Sequence, residues 1–404
     1  MRPNNVAVGC LLPVLAAVLA GCAAPPAGTS EDAAPHGYVA GAEEIAEVQY
    51  RLVVADGDTG AVRVLDLGTE DVTEVGTVAG VGDIAGDGRF AYLTAADHSV
   101  HVVDGGAWMV DHGDHVHYYR APAREVGPLP GAAPTAAHSD PAVVAVSYAD
   151  GTVQLLDRVQ LDAGVVAPTG RITGNPHQAH AVPHRGRVVS SVAQPGRPYA
   201  DAVEVRGRQG ELVAAIPAAC PDLQGSALTR RGAVFGCADG ALLVTEQDGA
   251  VTGVKIPYPQ PVADADRARE FTLRPGSSTL AARAGDRGVW ALDLADRSWT
   301  LVPTGPVVAW NAVGEGAPLL TLSADGVMHA YDPRTARETA RTPLLGAPVA
   351  ADGPAPTIQV DTARAYVNDP SRGTIYEIDY SDDLRTARTL TVPGRASLVV
   401  ETGR

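Results

Sequence analysis

One pattern recurs along the chain and limits what it can fold into. An apolar stretch ends in an aspartate, usually followed by glycine. A second stretch with alternating apolar residues then ends in another acid. The copies are Arg51–Asp56 with Ala61–Asp66, Ala91–Asp97 with Val100–Asp104, and Val143–Asp150 with Thr152–Asp157. A looser copy pairs Arg187–Ala193 with Ala202–Arg206. Then follow Ala233–Asp239 with Ala241–Glu246, Thr279–Asp286 with Gly288–Asp293, Pro318–Asp325 with Val327–Asp332, and Ala363–Asp369 with Thr374–Asp379. The turn aspartates Asp56, Asp97, Asp150, Asp239, Asp286, Asp325 and Asp369 lie 41, 53, 89, 47, 39 and 44 residues apart. The interval of 89 holds two units, because the fourth copy has Pro195-Gly196 and a longer turn in place of Asp-Gly. A period of two within each stretch means strand, and nothing long has helical period. A strand hairpin about every 45 residues matches one four-stranded blade of an all-β propeller. Eight blades are expected, with seven the alternative if the first or the irregular fourth copy is not a full blade. The terminal stretch Ser397–Glu401 has no partner of its own. It is expected to complete the first blade and close the ring, which removes an open sheet edge.

The N-terminus carries an address. Arg2 precedes a short apolar run, Val6–Leu19, interrupted by Pro13 and ending in Leu19-Ala20-Gly21-Cys22. The run is too short for a comfortable membrane span. Small residues before a cysteine resemble a bacterial lipobox, with Cys22 left as a lipid-modified N-terminus after cleavage. Residues 1–21 then read as a lipoprotein signal peptide, 22–46 as the lipidated cysteine and a flexible Ala/Pro/Gly/Glu-rich tether, and 47–404 as the propeller. The expected location is exported, on the outer face of the bacterial cytoplasmic membrane. Cys10 lies in the cleaved segment. Cys220 and Cys237 remain as a pair in an oxidising compartment, where a disulfide is the default. A zinc thiolate site is disfavoured, because neither cysteine has a close second ligand.

Charge narrows the partners. The chain of 404 residues has net charge -16, and Lys255 is its single lysine. Without a basic run there is no electrostatic footprint for a phosphate backbone, so nucleic acid is excluded as a partner. Histidine is the uneven residue. Of eleven, seven fall between His112 and His184.

The blade pattern places these seven. Asp111-His112-Gly113-Asp114-His115-Val116-His117 lies in the connection between the third and fourth strands of the second blade. His138 sits at the end of the next blade's first strand. His177, His180 and His184 occupy the corresponding stretch of the following blade. His115 and His117 are two residues apart and so share one side of a strand, about 6.6–7 Å apart at Cα. Two imidazoles so placed can share one zinc ion with ligands from neighbouring blades. The expected ligands are His112, His115, His117, His138 and His180. Asp111, Asp114, His177 and His184 are available as further ligands, or as acceptors that fix imidazole tautomers. The other reading of each histidine is a loop residue with its own hydrogen bond. His101 and His329 take equivalent third-strand positions and read as structural.

Signals for an enzyme are missing. There is no H-E-x-x-H, G-x-S-x-G, S-x-x-K or phosphate loop. Asp56-Gly57-Asp58-Thr59-Gly60 opens like a calcium loop, but its twelfth position is Leu67, not Glu, and a hairpin turn accounts for it better.

Three segments carry a resemblance: Arg51–Asp56, Asp111–Tyr119 and Phe235–Gly240. Together they resemble the zinc metallochaperones of Azt-type ABC importers. The D-H-G-D-H-x-H segment is the specific part, and the blade pattern is generic. The resemblance implies a secreted propeller that binds zinc and hands it to the importer's solute-binding protein. It implies His115 and His117 as ligands, to which geometry adds His138 and His180. Members of that family can carry a His-rich flexible N-terminus, whereas here the tether holds only His36. The readings set against it are a protein-interaction lipoprotein propeller and a metal-dependent hydrolase or lactonase.

Overall fold

The computed structural model describes residues 38–112 and 115–404. The signal segment, Cys22, His36 and Asp114 lie outside the described residues.

The recurrent pattern folds into four-stranded antiparallel sheets that follow one another along the chain, consistent with a propeller. Sheet 1 holds Leu398–Thr402, Arg51–Ala55, Ala61–Asp66 and Val72–Thr77, in that order from its inner to its outer edge. Sheet 2 runs Asp83–Gly86, Phe90–Thr94, Val100–Asp104, Arg124–Leu129, and sheet 3 runs Pro134–Ser139, Val143–Tyr148, Val153–Asp157, Pro168–Ile172. Sheet 4 spans Ala181–His184 to Leu212–Ala215, sheet 5 Ser226–Thr229 to Ala250–Pro257, and sheet 6 Phe271–Thr272 to Ser298–Val302. Sheet 7 spans Ala309–Ala312 to Arg337–Pro343, and sheet 8 Ile358–Val360 to Arg385–Thr391. The irregular fourth copy is therefore a full sheet.

The terminal strand pairs with the first repeat, Leu398 opposite Ala55 and Thr402 opposite Arg51. It is the inner strand that the first repeat lacks. The inner strand of each sheet touches that of the next. Ile358–Val360 of sheet 8 touches Leu398–Thr402, which in turn touches Asp83–Gly86 of sheet 2.

The burial pattern explains the sequence pattern. Second strands such as Arg51–Ala55 and Val143–Tyr148 are covered on both faces and read as continuous apolar runs. Outer strands such as Leu212–Ala215 face solvent. The core is accordingly split into layers between consecutive sheets. Val53, Val64, Leu93 and Val103 join sheets 1 and 2. Leu52, Leu65, Tyr366 and Ile375 join sheet 1 to sheet 8 in the same way.

The aspartates that mark the repeat are turn-formers. Asp56 Oδ1 accepts from the backbone N–H groups of Asp58 at 3.0 Å and Thr59 at 3.2 Å. Asp66 does the same for Gly68 and Thr69, and Asp332 for Arg334 and Thr335. A carboxylate two residues before a free N–H mimics a backbone turn, so the residue recurs wherever the chain reverses. Asp56-Gly57-Asp58 is thus a hairpin turn. Cys220 and Cys237 form a disulfide, tying the lead-in of sheet 5 to the end of its second strand. Among the described residues no helix is long and apolar enough to cross a membrane.

Candidate metal centre

Sheet 2 departs from the repeat between its third and fourth strands. There the chain makes an extra hairpin of β2 (Ala107–Asp111) and β3 (Val116–Arg120). A third strand, β1 (Glu43–Ile45), pairs along the other edge of β3, with Glu43 opposite Arg120 and Ile45 opposite Tyr118. These three residues fall within the span expected to be tether. They are ordered because β3 offers them an unpaired edge, which local composition does not reveal.

The root of this hairpin is fixed by backbone and charge. Gly106 adopts φ +72°, and a Cβ there would lie 2.4 Å from the Ala121 carbonyl oxygen, so only glycine suits the corner. Beside it Arg89 is buried. Its Nη2 and Nε donate to the two Asp104 oxygens at 2.8 and 3.1 Å, and its Nη1 to Asp162 at 3.2 Å. The guanidinium carbon lies 3.7 Å from the centre of the Trp108 ring on β2. Arg158 continues the network through Asp162 and Asp87, and Ser139 donates to Asp87. Burial alone would raise the Asp87 carboxyl. The adjacent Arg158 and the donors Phe90, Ser139 and Tyr92 outweigh it and hold the group below its ordinary value.

At the tip, His112 N–H donates to the His115 carbonyl at 2.9 Å and closes the turn. The ligand atoms of His112, His115 and His117 lie within 4.8 Å of one another. His115 Nε2 and His117 Nε2 are 3.1 Å apart. Two nitrogens on one tetrahedral zinc at 2.0–2.1 Å would be about 3.4 Å apart, so the pair stands close to ligation distance. The three rings surround one point, with centroid separations of 4.8 to 5.2 Å. His117 Nδ1 meets the Glu44 carboxylate at 2.6 Å. With Nδ1–H donated to Glu44, the Nε2 lone pair faces the cluster. This is the carboxylate–histidine arrangement that metal ligands use to fix a tautomer. Sequence reasoning missed Glu44, because 73 residues separate it from His117 and only strand pairing joins them. Three imidazoles whose ligand atoms lie this close suit zinc. They offer no thiolate, which disfavours a soft ion such as copper(I).

His138, His177, His180 and His184 do not belong to this three-histidine group. His138 belongs to β4 (Pro134–Ser139), His180 precedes β5 (Ala181–His184), and both converge on Ser226, the first residue of β6 (Ser226–Thr229). His138 Nε2 lies 3.0 Å and His180 Nδ1 3.1 Å from Ser226 Oγ, and the Gly225 N–H donates to His180 Nε2 at 3.3 Å. The expectation of one site spanning three sheets is corrected here. Inner strands of consecutive sheets meet each other and bring His138 and His180 to Ser226, whereas the ligand atoms that lie within 4.8 Å of one another are those of His112, His115 and His117. His177 is held by the Asn175 carbonyl and Ser191, and His184 ends β5, so neither joins the three-histidine cluster. Asp111 ends β2 with its side chain exposed. His101 and His329 each pair with a glutamate of the neighbouring outer strand at 3.0 Å, in the structural role expected of them.

The inner pair makes a pH prediction. Burial lowers His138 to about 4, and burial together with the nearby His138 and His177 lowers His180 to about 3. Both stay neutral in the fold at pH 5, while in the unfolded chain they take up protons below about 6.5. Stability of the metal-free protein therefore falls as pH drops from about 6.5 toward 4, by at most ~2.7 kcal/mol per pH unit for two groups. Glu401, raised to about 7 chiefly by burial, works in the opposite sense, losing its stabilising proton as pH rises. Urea unfolding at pH 7 and 5 should show the drop in wild type and a smaller one in His138→Asn/His180→Asn. An equal drop in both proteins would refute the assignment.

Comparison with solved structures now has a geometry to refer to. The crystal structure of AztD from Citrobacter koseri aligns with a TM-score of 0.75 and 21% identity, over 89% of this chain and 99% of that one. The apo form of the same protein gives 0.76 at the same identity and coverage. Dihydro-heme d1 dehydrogenase NirN aligns at 0.56 and 16% identity, over 87% of this chain and 75% of that chain. No protein-family model and no curated protein sequence matches the chain. Over 89% of its length, then, this is a chain with an AztD-like fold.

Proposed function

We propose that the protein is a zinc-binding metallochaperone that carries zinc as cargo to the solute-binding protein of an ABC importer. The observation that carries this reading is the hairpin tip, where His112, His115 and His117 bring their ligand atoms within 4.8 Å. The AztD-like fold and the resemblance of the D-H-G-D-H-x-H segment support it. The tip is exposed at His112 and His115, as a site that must surrender its ion should be. Incoming ligands from a partner can approach the exposed imidazoles before these let go.

In the same reading the sheets are eight blades of a propeller closed by the C-terminal strand. The succession of inner-strand contacts and the layer between sheets 8 and 1 support that closure. Cys22 would carry a lipid that keeps the protein beside the membrane, near its partner. The disulfide fits an exported location. We read the protein as a carrier and not an enzyme. A cavity of about 570 Å³ between sheets 6 and 7, lined by Thr279, Asp293 and Tyr331 among others, contains none of the clustered histidines.

Stopped-flow mixing of the zinc-loaded protein with a metal-free solute-binding protein tests delivery. Transfer should be faster than zinc dissociation into a chelator and should rise with acceptor concentration. A transfer rate equal to free dissociation would make the protein a zinc store.

A further inference from the structure

We propose that β1 is a metal-linked clasp, with Glu44 the positioning residue that couples docking of the N-terminal strand to zinc held at the hairpin tip. The inference rests on the reading of the three-histidine cluster as the zinc site.

The geometry is specific. β1 is three residues long and pairs with the hairpin alone, through Glu43, Glu44 and Ile45 opposite Arg120, Tyr119 and Tyr118. Two carboxylates secure it, Glu43 to the Arg120 guanidinium at 2.8 Å and Glu44 to His117 Nδ1 at 2.6 Å. Both glutamates are exposed, and so short an added strand is marginal by itself. Of its two side-chain bonds, one reaches a residue whose opposite nitrogen faces the metal point. A cation at Nε2 makes Nδ1–H more acidic and strengthens its bond to a carboxylate. The carboxylate in turn makes Nε2 a better donor to the metal. Docked β1 and bound zinc must then stabilise each other by the same factor, because binding free energies are reciprocal.

The consequence bears on release. The residues that lead into β1 come from the tether, so any event that draws β1 off β3 removes Glu44 from His117 and loosens the zinc. A partner that adds its own strand to the freed edge of β3 would do this while bringing its ligands to the exposed hairpin tip. Proton bookkeeping is simple. The Nδ1 proton stays on His117 throughout, and only its acceptor changes from Glu44 to water.

The test uses the full chain and zinc as the probe. Zinc affinity is measured by chelator competition for wild type, Glu44→Ala, Glu44→Gln and His117→Ala. Amide hydrogen exchange of residues 43–45 is followed with and without zinc. Glu44→Ala should weaken zinc binding about 10–100-fold. Glu44→Gln, which keeps an acceptor oxygen, should recover part of that loss. Zinc should slow exchange of residues 43–45 in wild type and do so less in Glu44→Ala. An affinity in Glu44→Ala equal to wild type, or exchange in β1 indifferent to bound zinc, overturns the clasp. If His117→Ala still abolishes binding in that case, the zinc site stands. If wild type binds no zinc at all, the site itself has failed.

Discussion

Replacing His115 and His117 together by alanine should weaken zinc binding by about 10⁴-fold and leave the stability of the eight sheets unchanged. The magnitude follows from ligand count. A structural zinc site of four ligands is held by about 10–16 kcal/mol, or roughly 3 kcal/mol per ligand, and each such loss is about 10²-fold. The unchanged fold follows from position. His115 is exposed and His117 half-buried at the tip of a hairpin, and both lie outside the apolar layers between sheets. Chelator competition reads the first half and urea unfolding of the apo-protein the second. The comparison variant is His138→Ala/His180→Ala. It should keep zinc affinity and lose stability, because it removes both imidazole partners of Ser226. The opposite pattern would move the zinc site to the inner strands and refute the assignment to the hairpin.

The second large effect concerns stability. Arg89→Met removes both hydrogen bonds to a buried Asp104 and leaves that carboxylate without its close partner, at a cost of about 3–5 kcal/mol. Arg124 lies 3.9 Å away, too far to replace a pair bonded at 2.8 and 3.1 Å. The double variant Arg89→Met/Asp104→Leu should recover much of the loss, since the penalty is that of a stranded charge and not of a missing attraction. Urea midpoints of the three proteins decide it. A double variant as unstable as Arg89→Met would place the effect elsewhere, for example in the stacking of Arg89 on Trp108 at the hairpin root. The same stacking joins the three-histidine hairpin to sheet 2, so on the proposed reading zinc affinity of the single variant should also fall.

How much of this was legible beforehand depends on the range of the interaction involved. Strand alternation and turn aspartates act over a few residues. For that reason the repeat and its strand hairpins could be read directly, while the irregular fourth copy, which lacks Asp-Gly at its turn, was shown to be a full sheet by the structure. The partner of the terminal strand could also be named, because a strand left over at the end of the chain removes an open sheet edge by pairing with the first repeat. Cys220 and Cys237 paired as expected, being the two cysteines that lie outside the N-terminal segment.

The metal site was legible to the same range and no further. His112, His115 and His117 fall within one turn and one strand, and local spacing was enough to bring them together. His138 and His180 were assigned to the same site by assuming that neighbouring sheets present their histidines at a common place. The structure brings them instead to Ser226, on three inner strands that touch one another.

By itself, then, the sequence determined an all-β chain of repeated four-stranded sheets and a histidine turn suited to zinc, because period and spacing are local properties. Only the tertiary structure decided which histidines share a point, that Glu44 stands behind His117, and that a buried Arg89 roots the hairpin. Those contacts join residues 73 apart in one case and cross from one sheet to the next in another, and no local pattern encodes them.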